Sequence, residues 1–245
     1  MADRSASRGT VSRDQWAARI AALDDPRATS RSRKAPITVG RIVDTAFQLV
    51  EAEGFEALTM RRVAAALKTG PSSLYAHVRN KAELDDLLIG ELCARVTLPT
   101  PDPERWREQF LDVCRQLRDL FRQYPGVSRA ALAGTPNSLD TLRIGEGLLT
   151  ILLTGGVAPQ SAAWASDAAF LYVSAHSFEV SLRQSGEGSE PAIEADEIVE
   201  RFQMLPVSRF PNTVAYAREL THGDEHDRFD FTLELLLRGL SPAAS

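Results

Sequence analysis

The spacing of apolar residues predicts helices along nearly the whole chain from residue 38 onward. Apolar positions recur at intervals of three and four residues in five stretches: Thr38–Glu53, Glu104–Tyr124, Asn137–Leu153, Pro159–Gln184 and Glu225–Leu240. No stretch shows the two-residue alternation of apolar and polar side chains that is typical of a half-buried strand. The predicted fold class is therefore all-α.

Two short helices separated by a turn are predicted between residues 58 and 81. Thr59 is a suitable N-cap for the first helix, and Pro71 stands where the second would begin, since its missing N–H costs nothing there. The second helix is expected over Ser72–Val78. Helices this short are not stable alone, so neighbouring helices must hold them in place. The pattern indicates a helix-turn-helix, whose second helix enters the major groove of DNA.

Longer amphipathic helices flank this pair on both sides. The helix over Thr38–Glu53 is followed by Gly54, a C-cap signature. Asn80 and Glu83 have the spacing of a capping box, which opens a connecting helix that runs to about Val96. Four helices in about 60 residues thus form an N-terminal module of three helices and a connector helix.

The charge distribution supports a nucleic-acid partner for this module. Residues 58–81 carry five cationic side chains and no carboxylate, although the whole chain has a formal net charge of −5. Residues 1–36 hold eight Arg or Lys and four Asp, a net charge of +4, whereas residues 96–245 are strongly acidic. A basic front and an acidic back indicate one end that binds a polyanion and another that stays away from it.

Three domains follow from these patterns. Residues 1–36 form a basic extension, residues 37–96 form the helix-turn-helix domain, and residues 97–245 form a larger helical domain. The boundary at residue 97 is the proline-rich stretch TLPTPDP. The extension, with one predicted helix over Ser12–Leu23, is either a disordered tail or an arm that contacts DNA through Arg31, Arg33 and Lys34.

The larger domain is predicted to contain surfaces that one protomer does not cover. The helix over Asn137–Leu153 becomes apolar on all sides at its end, so we expect that end to be buried. The helix over Glu225–Leu240 is so apolar that a homodimer partner is its natural cover. His176 and Glu179 lie one turn apart on the long helix and are candidates for a ligand pocket, although a lone histidine on an apolar helix is more often a core residue.

The cysteines, the apolar runs and the known catalytic motifs indicate the cellular compartment and the classes of chemistry to expect. Cys93 and Cys114 belong to no CxxC pair and are expected to be buried thiols in a reducing compartment, so the protein is expected to be cytoplasmic. No apolar run approaches the roughly 20 residues that span a membrane. His222 and His226 resemble metal ligands in spacing, but the helix start beside them favours capping and exposure. No cofactor, metal site or catalytic residue is predicted, since GxSxG, HExxH and phosphate-loop motifs are missing.

The stretches LTMRRVAAAL and SLYAHVRNKAELDDLL resemble the TetR family of bacterial transcription regulators. The resemblance is specific over residues 37–96, and the closing RFDFTLELLLRGL is similar to the last helix of regulators close to the tetracycline repressor. It implies a homodimer that reads a near-palindromic DNA operator and is released when a small-molecule effector binds the larger domain. Ala76 departs from the bulky residue that the family often has there, so base preference is not carried over.

The resemblance implies one set of functional residues, and two further sets are expected in the larger domain. Positions similar to the family's DNA contacts are Thr59, Arg61, Pro71, Ser72, Ser73, Tyr75, Ala76, His77 and Lys81. The ligand pocket is expected to involve Phe121, Trp164, Tyr172, His176 and Glu179. The dimer interface is expected to involve Leu171, Phe178, Phe229, Leu233 and Leu236.

Chemistry supports most of the DNA-contact positions. Lys81, at a helix N-terminus, suits a phosphate, Arg61 suits guanine edges, and Tyr75 suits the backbone. No residue set matches the magnesium–tetracycline site of the best-known relative, so that drug is not predicted as the effector. Two other function classes remain open: a ligand-independent architectural DNA-binding protein, and an enzyme that uses the helical cavity.

Overall fold

The computed structural model describes residues 37–124, 126–133, 138–185 and 194–240, together with Ala17 and Ile20 in the N-terminal extension. These residues form helices and connecting turns, with no β-strand among them, which confirms the all-α prediction. In the same residues, no helix is both long enough and apolar enough to cross a membrane. Ala17 and Ile20 are helical and exposed, whereas Arg31, Arg33 and Lys34 lie outside the described residues.

The N-terminal module contains four α-helices and one 3₁₀ turn. Their bounds are α1 Val39–Glu53, a 3₁₀ turn Phe55–Ala57, α2 Met60–Ala66, α3 Pro71–Tyr75 and α4 Lys81–Ala94. The predicted caps are present: the side chains of Thr38, Thr59 and Asn80 each accept a hydrogen bond from the backbone N–H three residues later. Gly54 ends α1 at φ +80°. Local capping therefore sets the starts of α1, α2 and α4.

The remaining chain folds into eight further helices in the described ranges. They are α5 Trp106–Gln123, α6 Val127–Ala133, α7 Leu139–Thr154, α8 Pro159–Ser185, α9 Ala195–Gln203, α10 Pro211–Ala215, α11 Ala217–Thr221 and α12 Glu225–Arg238. Helix α8 packs against α5, α6, α7 and α12, and α4 packs against α1, α5, α6 and α7. A continuous set of buried apolar side chains runs from α1 to α12.

Three helix predictions differ from the structure. The second reading helix ends at Tyr75 and not at Val78, because the chain leaves it through a turn in which the N–H groups of His77 and Val78 both bond to the carbonyl of Leu74. The sequence also predicts one helix over Phe210–Leu220, but the structure has two short helices there, broken at Tyr216. The end of α7 is not buried on all sides, since Leu153 is 41% exposed.

The helix-turn-helix module meets the larger domain where α5 gives way to α6. The Tyr124 ring packs edge-on against Phe47 of α1 with 5.0 Å between the ring centres, and its hydroxyl donates to Glu51 at 3.2 Å. Arg95 donates to the same hydroxyl at 3.0 Å. Gly126 (φ +93°) lies so close to Phe55 that an added Cβ would stand 2.6 Å from the Phe55 Cβ, so only glycine fits there. The junction is therefore tightly packed as well as hydrogen-bonded.

Candidate nucleic-acid interface and buried polar cluster

The first candidate site is the segment from Leu58 to Lys81, called here the reading head. Its inner side is formed by apolar residues that are essentially fully buried, namely Leu58, Val63, Ala64, Leu74 and Val78. Between α2 and α3 the chain turns at Lys68, which adopts φ +53°, and the Thr69 N–H bonds back to the Ala64 carbonyl at 3.0 Å. Gly70 then caps α3, and Pro71 is its first residue. Buried anchors thus hold α3 in place although it is only five residues long.

The outer side of the reading head carries the predicted DNA-contact residues. All of them are exposed except Lys81, which is half-buried; the exposed set is Thr59, Arg61, Pro71, Ser72, Ser73, Tyr75, Ala76 and His77. Tyr75 is the largest, with 49% of its surface exposed. These side chains offer hydroxyl, imidazole and guanidinium groups at the surface of two consecutive short helices. Their contacts with DNA stay a prediction.

Several cations of the reading head are engaged inside the protein. Arg62 pairs with Glu53, and Arg79 contacts Glu83 through its side chain at 3.1 Å and its backbone N–H at 2.8 Å. The backbone N–H that Glu83 accepts is that of Arg79, the residue directly before the N-cap Asn80. The Arg62–Glu53 pair depends on how α1 and α2 pack, whereas Arg79 and Glu83 are only four residues apart in the sequence.

Lys81 is the predicted contact whose environment differs most from expectation. Its ammonium group pairs with Asp85 and lies 4.2 Å from the centre of the Phe55 ring. Burial raises the pKa of the Asp85 carboxyl, although the Lys81 hydrogen bond partly opposes that shift. Arg61 and Lys68, in contrast, are exposed and have no ion pair with any residue that the structure describes. The free positive charge of the reading head therefore lies at Arg61 and Lys68 more than at Lys81.

The second candidate site is a polar cluster inside the larger domain, centred on His176. The imidazole lies 5.8 Å from the Tyr172 ring and 4.9 Å from the Phe229 ring, measured between ring centres. His176 is 3% exposed, and neither ring nitrogen has a hydrogen-bond partner among the described residues. The Ser177 hydroxyl is also buried without a partner. Leaving such groups unsatisfied costs about 1–3 kcal/mol each, so a bound molecule that pairs with them would stabilise the site.

Charged residues surround this cluster. The Arg118 guanidinium is buried and lies 4.7 Å from the centre of the Phe229 ring. Arg122 and Glu225 form an ion pair of 2.9 Å. Burial is the main cause that lowers the pKa of His176, and the positive charge of Arg228 adds to it. The imidazole is therefore neutral near pH 7 and offers one donor and one acceptor.

Only part of the predicted ligand set comes together. Tyr172 and His176 are neighbours, and Phe121 is buried on α5, edge-on to Phe170. Glu179 lies at the rim, where it pairs with Arg183 and Arg228, each at 2.6 Å. The prediction for Trp164 is wrong, because that side chain is 69% exposed on the outside of α8.

Sequence reasoning missed some residues of the cluster. Phe229 and Arg118 belong to it, and the Arg122–Glu225 pair lies beside it, but none of these residues was predicted to line a pocket. No sequence signal singles out Arg118 and Arg122, because the helical stretch around them also carries Asp112, Arg115 and Asp119. Beside the cluster, a cavity of about 490 Å³ reaches the surface between α8, α11 and α12, with Glu225, Arg228 and Phe231 in its wall.

The predicted dimer residues divide between two sides of the protein. Phe229 and Leu233 are fully buried inside the protomer, so their assignment to a dimer interface is wrong. Phe178 and Leu236 are half-buried, and Leu171 is 56% exposed. Exposed apolar side chains on α8 and α12 form what we call the outer face, whose members are Trp164, Leu171, Leu182, Phe231 and Leu235.

The cysteine and histidine predictions have structural outcomes as well. Cys93 and Cys114 are free and buried, as predicted, and burial raises the pKa of the Cys93 thiol to about 12. Asp224 caps α12 by accepting from the His226 N–H at 2.6 Å, which confirms capping at this position. His222 lies 3.3 Å from Asp196.

A pH-dependent stability is expected from His176. Because its pKa is lowered from 6.5 in the folded state, protons bind the unfolded chain more readily than the native one below that pH. The free energy of unfolding should therefore be fully retained above about pH 6.5 and fall as the pH drops toward the lowered native pKa. The replacement His176→Phe, which cannot be protonated, should remove this part of the pH dependence. Urea unfolding at about pH 7.5 and about pH 5.5 measures it.

The matched control for this prediction is His77→Phe, since His77 is exposed and forms no ion pair with a described residue, whereas His222 lies 3.3 Å from Asp196. That variant should keep the wild-type difference in unfolding free energy between the two pH values. Equal pH dependence in wild type and His176→Phe would contradict the prediction.

Two family models match the chain and together cover most of it. Residues 42–85 match bacterial regulatory proteins of the tetR family, and residues 98–243 match the tetracyclin repressor-like C-terminal domain. The first match contains the reading head, and the second contains the polar cluster and the outer face.

Individual relatives agree with these models. The HTH-type transcriptional repressor DrrR1 of Streptomyces coeruleorubidus is 31% identical, over 89% of this chain and 82% of that protein. The tetracycline repressor protein class G of Vibrio anguillarum is 27% identical, over 82% of this chain and 91% of that protein. The structure also resembles ActR from Streptomyces coelicolor, crystallised in complex with actinorhodin. The two sequences are 38% identical, the TM-score is 0.76, and the match covers 84% of this chain and 95% of the ActR chain.

Proposed function

The chain belongs to the TetR family of transcription regulators, and on that premise we propose that it is a repressor released from a near-palindromic operator by a small molecule. The protein is a DNA-binding regulator, and the enzyme alternative is set aside because the family consists of regulators. We assign residues 37–96 to DNA reading and residues 97–245 to effector binding and dimerisation, within the cytoplasm.

The observation that carries the proposal is the one-sided burial of the reading head. Leu74 and Val78 anchor α3 from within, so the opposite side is free to enter a groove. In the groove, Arg61 would donate to guanine edges while Ser72 and Ser73 contact other base edges. Tyr75 and Lys81 would contact the backbone, and Lys81 would have to exchange Asp85 for a phosphate.

A second copy of the chain would cover the outer face. The exposed apolar residues of α8 and α12 lie on two helices that pack against each other, and several large exposed apolar side chains on neighbouring helices are typical of an interface. Two-fold pairing through this face would present two reading heads to two half-sites. This arrangement is the reason for expecting a near-palindromic operator.

The effector would bind at the polar cluster around His176. A neutral imidazole with two unpartnered nitrogens, beside the Tyr172 and Phe229 rings, suits a ring-containing molecule with both donor and acceptor groups. ActR has been crystallised with actinorhodin and with (S)-DNPA, which supports a small-molecule effector for this chain. The identity of the effector is not carried over.

Selection of bound duplexes from a random DNA pool, followed by a screen for compounds that dissociate the complex, tests the proposal. A ligand-released repressor yields one near-palindromic sequence, bound at least ~10³-fold more tightly than random DNA, and at least one releasing compound. An architectural DNA-binding protein yields no preferred sequence and a steep salt dependence, which would overturn the proposal.

Replacing Lys81 with Ala tests the phosphate contact. If Lys81 exchanges Asp85 for a phosphate, Lys81→Ala should weaken binding to all DNA sequences and reduce the slope of log affinity against log salt by about 1. Asp85→Asn removes the competing carboxylate and should strengthen binding severalfold at low salt. Filter binding or fluorescence anisotropy across a salt series measures both effects, and an unchanged slope for Lys81→Ala would contradict the phosphate role.

The N-terminal arm is tested by deletion of residues 1–34. If Arg31, Arg33 and Lys34 follow the DNA, the truncated protein should bind the operator less tightly and with a smaller salt slope. Unchanged affinity would assign those residues to a tail without a DNA contact.

A further inference from the structure

The last turn of the connecting helix α4 is held by a residue from α7. The end of a helix leaves backbone carbonyls without intrahelical partners. The Arg143 Nη2 group donates to the Cys93 carbonyl at 2.6 Å and the Val96 carbonyl at 3.0 Å, and it lies 3.4 Å from the Ala94 carbonyl. A positively charged fork at a helix C-terminus is favourable electrostatically as well. Arg143 thus acts as a clamp on the end of α4.

Contacts on both sides of Arg143 extend the clamp into a seam between α4 and α7. Gly90 of α4 lies against Ser138, the N-cap of α7, so closely that an added Cβ would stand 2.6 Å from the Ser138 Oγ. The Thr141 hydroxyl is 3.8 Å from the Cys93 sulfur. Beyond Arg143, an added Cβ at Gly147 would stand 2.6 Å from both methyl groups of Leu98. We call this set of contacts the α4–α7 seam.

The seam connects the two candidate sites through rigid helices. On its other sides α7 packs against α5 and α8, the helices that carry Arg118 and His176 of the polar cluster. At its far end α4 begins at Asn80, directly after the reading head, and its 14 residues span about 21 Å. A displacement of α7 at the seam therefore moves α4, and the reading head directly precedes the other end of α4.

We propose that Arg143 is the positioning residue that couples the effector site to the reading head, by making α4 follow α7. The inference rests on the proposed function, since it assigns a route for the effector's action. Without the clamp, α4 still buries Leu84, Leu88 and Leu92 in the core, so the reading head stays folded. What is lost is the link to α7. Loss of coupling is therefore separable from loss of folding.

Reciprocity allows a test without a known effector. If the effector site changes the affinity for DNA, then operator DNA must change the effector site by the same coupling free energy. The experiment measures hydrogen–deuterium exchange by mass spectrometry on the full-length protein, with and without a duplex obtained by the selection described above. In wild type, the duplex should change amide exchange in α7 and in residues 170–180 of α8 by about fivefold or more.

The variant Arg143→Met keeps the length of the side chain and removes its donors. It should still bind the duplex and protect the reading head, while the exchange response of α7 and α8 falls to less than about a third of the wild-type response. Gly145→Ala is the control on the same helix, because nothing lies within 4 Å of the added Cβ. That control should respond as wild type does.

The remaining outcomes separate failure of the proposed function from failure of the coupling role of Arg143. A wild-type protein that selects no specific duplex overturns the proposed function. A wild type that binds its duplex with no response in α7 and α8, or an Arg143→Met variant with the full response, overturns the coupling role alone. If Arg143→Met lowers the melting temperature so far that it is not folded, the variant Arg143→Gln provides the test instead. Its shorter amide side chain keeps a polar group but cannot reach all three carbonyls, so the response should fall in the same way, and retention of the full response would overturn the proposal.

Discussion

The variant Leu171→Glu is expected to be monomeric and to bind the operator at least ~100-fold more weakly than the wild type. Leu171 is 56% exposed near the middle of the outer face, between Trp164 and Leu182 on α8. In the proposed dimer it would be desolvated, and a buried carboxylate without a cation is strongly destabilising. Light scattering after size-exclusion chromatography measures the mass, and titration of a full operator measures the affinity.

The loss of affinity follows from the loss of the second reading head. In a dimer, the second half-site is bound intramolecularly, which multiplies affinity by roughly 10²–10⁴ over one head alone. The monomeric variant should therefore bind a full operator and an isolated half-site with nearly equal affinity. Circular dichroism should remain that of the wild type, because Leu171 contributes little to the core of the protomer.

The matched control is Leu142→Glu. Leu142 is also an exposed leucine, at 42%, but it lies on α7 and not on the outer face. That variant should remain dimeric and keep its operator affinity. A Leu171→Glu protein that stays dimeric at micromolar concentration would show that another surface holds the two copies together.

The second large effect is expected from Arg61→Ala, which should weaken operator binding by about 10–100-fold, or about 1–3 kcal/mol. Arg61 is exposed at the start of α2, and no described residue pairs with it, so its guanidinium is available to a base edge. Loss of a contact to guanine should also relax the preference at one position of each half-site. Competition binding with single-base variants of the operator measures that relaxation.

Two neighbouring cations serve as controls for Arg61. Arg62 pairs with Glu53, so Arg62→Ala should change affinity by less than Arg61→Ala does. Lys68 is exposed in the turn between α2 and α3, and Lys68→Ala should weaken all sequences alike, as expected for a phosphate contact. Uniform weakening of all sequences by Arg61→Ala would move Arg61 from base reading to backbone binding.

Much of the reading head could be predicted because its determinants are local. Thr59, Pro71 and Asn80 mark helix starts through hydrogen bonds or backbone geometry within one turn, and those interactions depend only on neighbours in sequence. The same holds for Gly54 at the end of α1. The end of α3 differs from the prediction because no stop signal occurs in the sequence between Tyr75 and Val78.

Helix α8 shows why the rest could not be predicted. Large apolar residues recur along one side of it, yet that side faces outward, and the side facing the core carries Ala162, Ala165, Ala169 and Val173. Small residues let neighbouring helices approach closely, so the inner side of a packed helix need not be its most apolar side. The spacing of apolar residues shows that α8 has two apolar sides, but it does not show which of them faces the core.

Periodicity and capping act within a few residues, so the all-α fold, the long helices and the caps of the reading head could be predicted from the residues alone. Helix packing sets which apolar side of α8 and α12 is internal, and which of the more distant cations are paired. It also brought Phe229 and Arg118 to His176, and Arg143 to the end of α4. These contacts join residues far apart in the chain, so they arise from the packing of helices and not from the character of any one of them.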